Sequence, residues 1–108
     1  MATTITVLYE NVDDLTFDMD YYLSKHMKLV DEKFSRFGLR GWQVLRAGDG
    51  LDGQRPKFAV IALLEFDEAQ QFKDAVAAEG GPVFGDVPNF SNKHPVVVIG
   101  ERLGSRAA

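Results

Sequence analysis

Apolar and polar residues alternate along the chain with two periods, and the switches between them lay out its elements. Thr3 to Glu10 is β-branched with period two, Ile5, Val7 and Tyr9 on one side and Thr4, Thr6 and Leu8 on the other, which predicts a strand. After the polar stretch Asn11 to Thr16, apolar residues recur every three or four positions at Met19, Leu23, Met27, Val30, Phe34 and Phe37, predicting a long amphipathic helix. Asp18 suits its N-cap, Gly38 the left-handed position that ends it, and Arg36 the negative end of its dipole. Leu39 to Ala47 and Lys57 to Phe66 read as two strands joined by a glycine-rich hairpin from Gly48 to Gly53. Asp67 with Gln70 predicts a capping box, opening a helix that buries Ala69, Phe72 and Val76 and ends before Gly80 and Gly81. Pro82 to Lys93 reads as an irregular connection and Pro95 to Arg102 as a last strand, with Gly104 to Ala108 a frayed tail.

The order is βαββαβ, so the expected class is α+β and the expected fold ferredoxin-like: a four-stranded antiparallel sheet with two helices on one face. Residues 1–108 are about one domain's worth of chain, so a single domain is expected. The sheet's other face changes the picture. In the third strand Phe58, Val60, Ala62 and Leu64 point one way and Ala59, Ile61 and Leu63 the other, so both faces are apolar. Val96 and Val98 against Val97 and Ile99 repeat this in the last strand. A second copy packing sheet to sheet would cover such a face, so a homodimer is expected. A bend or the C-terminal segment covering part of it is the alternative.

Composition narrows the partners. With 16 acidic and 12 basic side chains the net charge is −4, and the basic residues are scattered, so nucleic acid is not an expected partner. The chain has no cysteine, which removes disulfides, thiolate metal sites and a cysteine nucleophile. No apolar run approaches the roughly 20 residues that span a bilayer, and Met1 to Thr6 lacks the pattern of an export leader. No membrane partner and a cytoplasmic location are therefore expected.

Candidate chemistry lies on the first helix, where Tyr22, His26, Leu29 and Lys33 are spaced by four, three and four and so are neighbours on one face. Histidine moves protons near neutral pH, and a phenol beside it can orient it or hold a substrate oxygen. The same spacing equally suits a histidine that fills the helix border with its ring nitrogens satisfied. Tyr9 and Trp42 could lie on the sheet beneath the helices as walls for a flat ligand, or be ordinary core. Asp86 and His94 flank the loop of Pro88, Asn89 and Phe90, a place where binding groups or a turn cap would both fit. The two histidines have no carboxylate companions at metal-ligand spacing, and there is no phosphate loop, serine elbow or dinucleotide fingerprint. No metal and no cofactor are expected.

Phe17, Asp18, Tyr21, Tyr22, His26, Leu29 and Val30, followed by Asp86, Val87, Pro88, Asn89, Phe90, Ser91, His94 and Pro95, resemble the EthD family of the dimeric α/β-barrel superfamily over nearly the whole chain. The resemblance implies a homodimer whose two sheets form a barrel, with a cavity in each subunit between sheet and helices near His26. It implies a cofactor-independent enzyme of decarboxylase, dehydratase, cyclase or oxygenase type, acting on an aromatic or polyketide-like substrate. In that reading His26 is general acid or base, Tyr22 orients it, and Tyr9, Trp42, Phe84, Asp86 and Phe90 bind substrate. The alternative it carries is a non-catalytic accessory protein that binds a small molecule for a partner oxygenase in ether degradation. Met27 and Lys28 stand where family members have a small residue and proline, which leaves the helix here unbroken.

Overall fold

The computed structural model describes residues 2–106; Met1, and Ala107 and Ala108 of the expected tail, lie outside the described residues. β-Branched residues that pack on a pleated surface make Thr3–Glu10 a strand, β1. Gly41–Arg46 (β2), Phe58–Phe66 (β3) and Val96–Glu101 (β4) join it in one sheet of order β2-β3-β1-β4, every neighbouring pair antiparallel. With two helices over one face, this is the ferredoxin-like α+β arrangement. The register sets Ile5 opposite Leu64 and Ile99, and Val7 opposite Ala62 and Val97, so these side chains share the helix side of the sheet.

The first helix departs from the expected single run. It is α-helical at Met19–Tyr21, widens to a π turn over Tyr22–His26, returns to α at Met27–Phe34 and tightens to a 3₁₀ turn at Ser35–Phe37. Its start is as the sequence implies, with the Asp18 carboxylate accepting from the Tyr21 N–H at 3.0 Å. Two observations locate the widening. The Met27 N–H bonds the Tyr22 carbonyl, five residues back, and the Ser24 hydroxyl donates to the Asp20 carbonyl at 2.6 Å, a contact that bends helices. The extra residue turns Leu23, expected in the core, out to 45% exposure. Tyr22, His26 and Met27 take its place at 1%, 5% and 1%, ahead of Val30 and Phe34. The helix ends at Gly38 with φ 104°, where a side chain would also collide with the Gln71 amide at 2.5 Å.

The second helix begins one residue later and ends later than expected. Glu68, rather than Asp67, is its N-cap, and it forms the capping box with Gln71. It runs Ala69–Gly85, through Gly80, Gly81 and Pro82. That stretch has poor helix propensity and Pro82 lacks a donor, but continuing it buries Val83 at 4% exposure. The expected irregular connection therefore shrinks, and Val87–Asn89 within it is a 3₁₀ turn.

The sheet face away from the helices is half covered. Leu8, Ile61 and Leu63 are half-buried, while Leu45, Val96 and Val98 stay 45%, 42% and 47% exposed along its two edge strands. The shifted register of the first helix makes a simple prediction. Leu23→Lys is expected to change stability by no more than about 0.5 kcal/mol, whereas Phe34→Ala costs about 3–5 kcal/mol in urea unfolding. A large loss at Leu23 would place that side chain in the core after all.

Candidate functional site

Two loops distant in sequence are tied together beside the first helix. Phe17 bridges Ser91, the Asp18 N–H bonds the Phe90 carbonyl at 2.8 Å, and the Thr16 N–H bonds the Asn92 side chain at 2.9 Å. The Asn92 amide donates in turn to the Asp14 carbonyl at 2.7 Å. This seam sets the start of the first helix against the residues following the second, which is how His26 and Asp86 meet.

His26 Nδ1 lies 2.9 Å from Asp86 Oδ2, with the two side chains only 6% and 12% exposed. The other carboxylate oxygen accepts from the Tyr21 hydroxyl at 2.7 Å and the Asn89 amide at 2.9 Å. Burial pushes the Asp86 carboxyl up, but the bonds from Asn89, Tyr21 and His26 outweigh it and hold it below the ordinary aspartate range. Burial also pushes His26 down, and Asp86 opposes this without reversing it. At neutral pH the pair is therefore a carboxylate and a neutral imidazole. Its Nδ1–H donates to Asp86, which leaves Nε2 with a free lone pair.

Aromatic rings enclose this pair. Tyr22 stacks on the imidazole at 5.2 Å and 15°, and Phe90 lies 4.5 Å from it by centroids. Tyr9 and Phe17 complete the cluster, edge-on or tilted at 5.0–6.0 Å. Burial raises the pKa of the Tyr9 and Tyr22 phenols far above the ordinary value, so both stay protonated.

His26, Tyr22 and Tyr9 line one cavity between sheet and helices. Val7, Ala62 and Leu64 form its floor, and Met27 and Val83 are among its sides. Phe84 and Val97, which are 40% and 37% exposed, mark the side on which it opens. The cavity is small, about 40 Å³, enough for the end of a ligand rather than a fused-ring body. Among the described residues no three His, Asp or Glu side chains converge as metal ligands would, and no helix is long and apolar enough to cross a membrane.

The candidates named from sequence thus divide. Tyr9, Tyr22, His26 and Phe84 line the cavity, while Asp86 and Phe90 support His26 from outside it. Trp42 does not join them: β2 is the far edge of the sheet, so Trp42 packs on the core away from the cavity. His94 is exposed beside Glu10 and Lys93, in a different groove. Tyr22 stacks on His26, so orienting the ring by hydrogen bond falls to Asp86. Sequence reasoning gave no role to Tyr21 or Asn89, the two neutral donors to Asp86. The three-residue spacing of Asp86 and Asn89 is the signal that could have suggested the second.

An EthD-like protein from Ralstonia eutropha matches this structure with a TM-score of 0.89 at 25% identity, over 98% of this chain and 96% of that one. The chain is similar to EthD-like proteins over nearly its whole length. An ethyl tert-butyl ether D (EthD) family protein from Bacillus halodurans matches at 0.74 and 23% identity, over 95% of this chain and 100% of the other. A dimeric protein of ferredoxin-like fold from Bacteroides fragilis matches at 0.55 and 14%, over 94% and 95%. These last two share its fold. No family model matches the sequence, and no curated protein does.

In this EthD-like chain the environment of His26 predicts its titration. By NMR, His26 is expected to titrate below the ordinary histidine value of about 6.5, and lower still in Asp86→Asn, which removes the interactions that raise it. Because the unfolded chain then binds that proton first, the His26 contribution makes stability fall as pH drops below about 6.5. A His26 pKa that rises in Asp86→Asn would contradict this electrostatic account.

Proposed function

We propose that this chain is a cofactor-independent enzyme that moves a proton on a small molecule whose reacting end enters the cavity, with His26 as general acid and base. The observation that carries the reading is the buried Asp86–His26 pair, with its imidazole on an otherwise apolar cavity. A neutral imidazole with Nδ1–H held by a carboxylate is a base at Nε2, and the carboxylate stabilises the imidazolium that forms on proton uptake. Asp86 is then a positioning residue, and Tyr9 and Tyr22 supply hydroxyls beside the reacting atoms. Decarboxylation, dehydration, cyclisation and oxygenation of an aromatic or polyketide-like compound all include such a proton transfer. The small cavity favours a second reading as well: an accessory protein that holds a small molecule for a partner oxygenase without turning it over.

The two readings part in one experiment. Wild type and His26→Asn are melted against aromatic acids, anthraquinones, lactones and ethers, since a ligand of the folded state raises the Tm. Hits are then assayed for turnover. As an enzyme, the chain is expected to lose about 10²–10⁴-fold in kcat in His26→Asn. Ligands that bind wild type and are never converted favour the accessory role.

The half-covered sheet face supports a homodimer, as does the dimeric state of the Bacteroides fragilis neighbour. Sedimentation is expected to give a dimer for wild type and a monomer for Val98→Asp, which sets a charge on that face. A monomeric wild type would refute it.

A further inference from the structure

The charge pattern around the cavity narrows what can enter it, an inference that rests on the small-molecule site proposed above. No Lys, Arg, Asp or Glu lines the cavity among the described residues; its polar groups are His26, Tyr9 and Tyr22. The nearest ion is negative, the Asp86 carboxylate 2.9 Å behind the His26 ring. Its side-chain partners besides His26 are neutral donors, Tyr21 and Asn89, and no lysine or arginine is paired with it among the described residues. None of the first helix's lysines lines the cavity: Lys25 and Lys28 border the outer groove that Asp86 and Tyr21 share, with Lys25 5.7 Å from the Tyr21 ring, and Lys33 lies beside Glu79 at 3.6 Å. An anion entering here would shed its water, find no counter-charge and approach a carboxylate.

The hydrogen-bonding groups can be counted. Both phenols stay protonated, so the cavity's hydroxyls can donate. His26 Nδ1 is committed to Asp86, so Nε2 remains to accept. The site thus offers phenol donors and one imidazole acceptor within an apolar wall. We infer that it selects uncharged molecules whose inserted end carries a carbonyl or phenol oxygen beside an acidic proton, such as an enolisable ketone or a phenol, and discriminates against carboxylates, which sets decarboxylation aside among the reactions above. Only that end enters, and the remainder passes out between Phe84 and Val97.

Matched pairs that differ in charge but little in size test this. Binding of 2′-hydroxyacetophenone against salicylate, and of acetophenone against benzoate, is measured by calorimetry at pH 7.5 with wild type. Each ketone is expected to bind at least tenfold more tightly than its carboxylate. Val97→Lys, at the half-exposed mouth, supplies the missing cation and is expected to raise salicylate affinity at least tenfold; its Tm without ligand checks that it folds. Carboxylates that bind wild type as well as the ketones do, or a Val97→Lys variant with no gain, overturn the charge selection and leave the cavity reading standing. Failure of all four compounds to bind overturns both.

Discussion

The widened turn from Tyr22 to His26 is the constraint on which the site depends. A regular helix through these residues would send Leu23 inward and carry the Tyr22 and His26 row toward its border. The one added residue reverses that choice: a leucine is given to solvent and an imidazole to the interior. Burying a polar ring is unfavourable unless its donors are satisfied, and the Asp86 carboxylate meets that need, a charged hydrogen bond being worth about 1.5–3 kcal/mol. Turn and carboxylate therefore belong to one device, although one lies in the first helix and the other beyond the second.

The balance of forces on the pair explains its charge state. Burial acts on both members, disfavouring the imidazolium and the carboxylate alike. Asp86 stays ionised because three donors converge on it, whereas His26 has one partner and stays neutral. Tyr21 and Asn89 thus act on the imidazole through the carboxylate they stabilise. The aromatic cluster of Tyr9, Phe17, Tyr22 and Phe90 keeps water from the pair and holds the ring plane.

Much of the fold was legible because its signals are local. Period-two alternation marked the strands to within a few residues, and Asp18 and Gly38 bounded the first helix. The failures are equally physical. Asp67 with Gln70 and Glu68 with Gln71 are capping boxes one residue apart; the structure uses the second, leaving Asp67 to pair with Arg40. Gly80, Gly81 and Pro82 read as a stop, but burial of Val83 outweighs propensity there. Leu23 was misplaced because apolar spacing assumes a constant turn, and nothing in Tyr22 to His26 announces a wider one. Tyr22 and His26 were visible as neighbours at i and i+4. Their link to Asp86 was not, since it spans 60 positions. The place of Trp42 was left open because the order of strands, which sets it on the far edge, cannot be read from alternation.

The seam between residues 14–18 and 90–93 has a consequence for how the molecule is made. Its bonds join positions up to 79 apart, so they close only after most of the described chain has emerged. The entropy of closing so long a loop is lost before the contact returns anything, which makes such pairings late steps of folding. The helix carrying His26 is synthesised early, yet its imidazole has no carboxylate until the final stretch arrives. Until then it is a solitary titrating side chain, so the distinctive acid–base character of the pair matures only when the two distant segments close on each other.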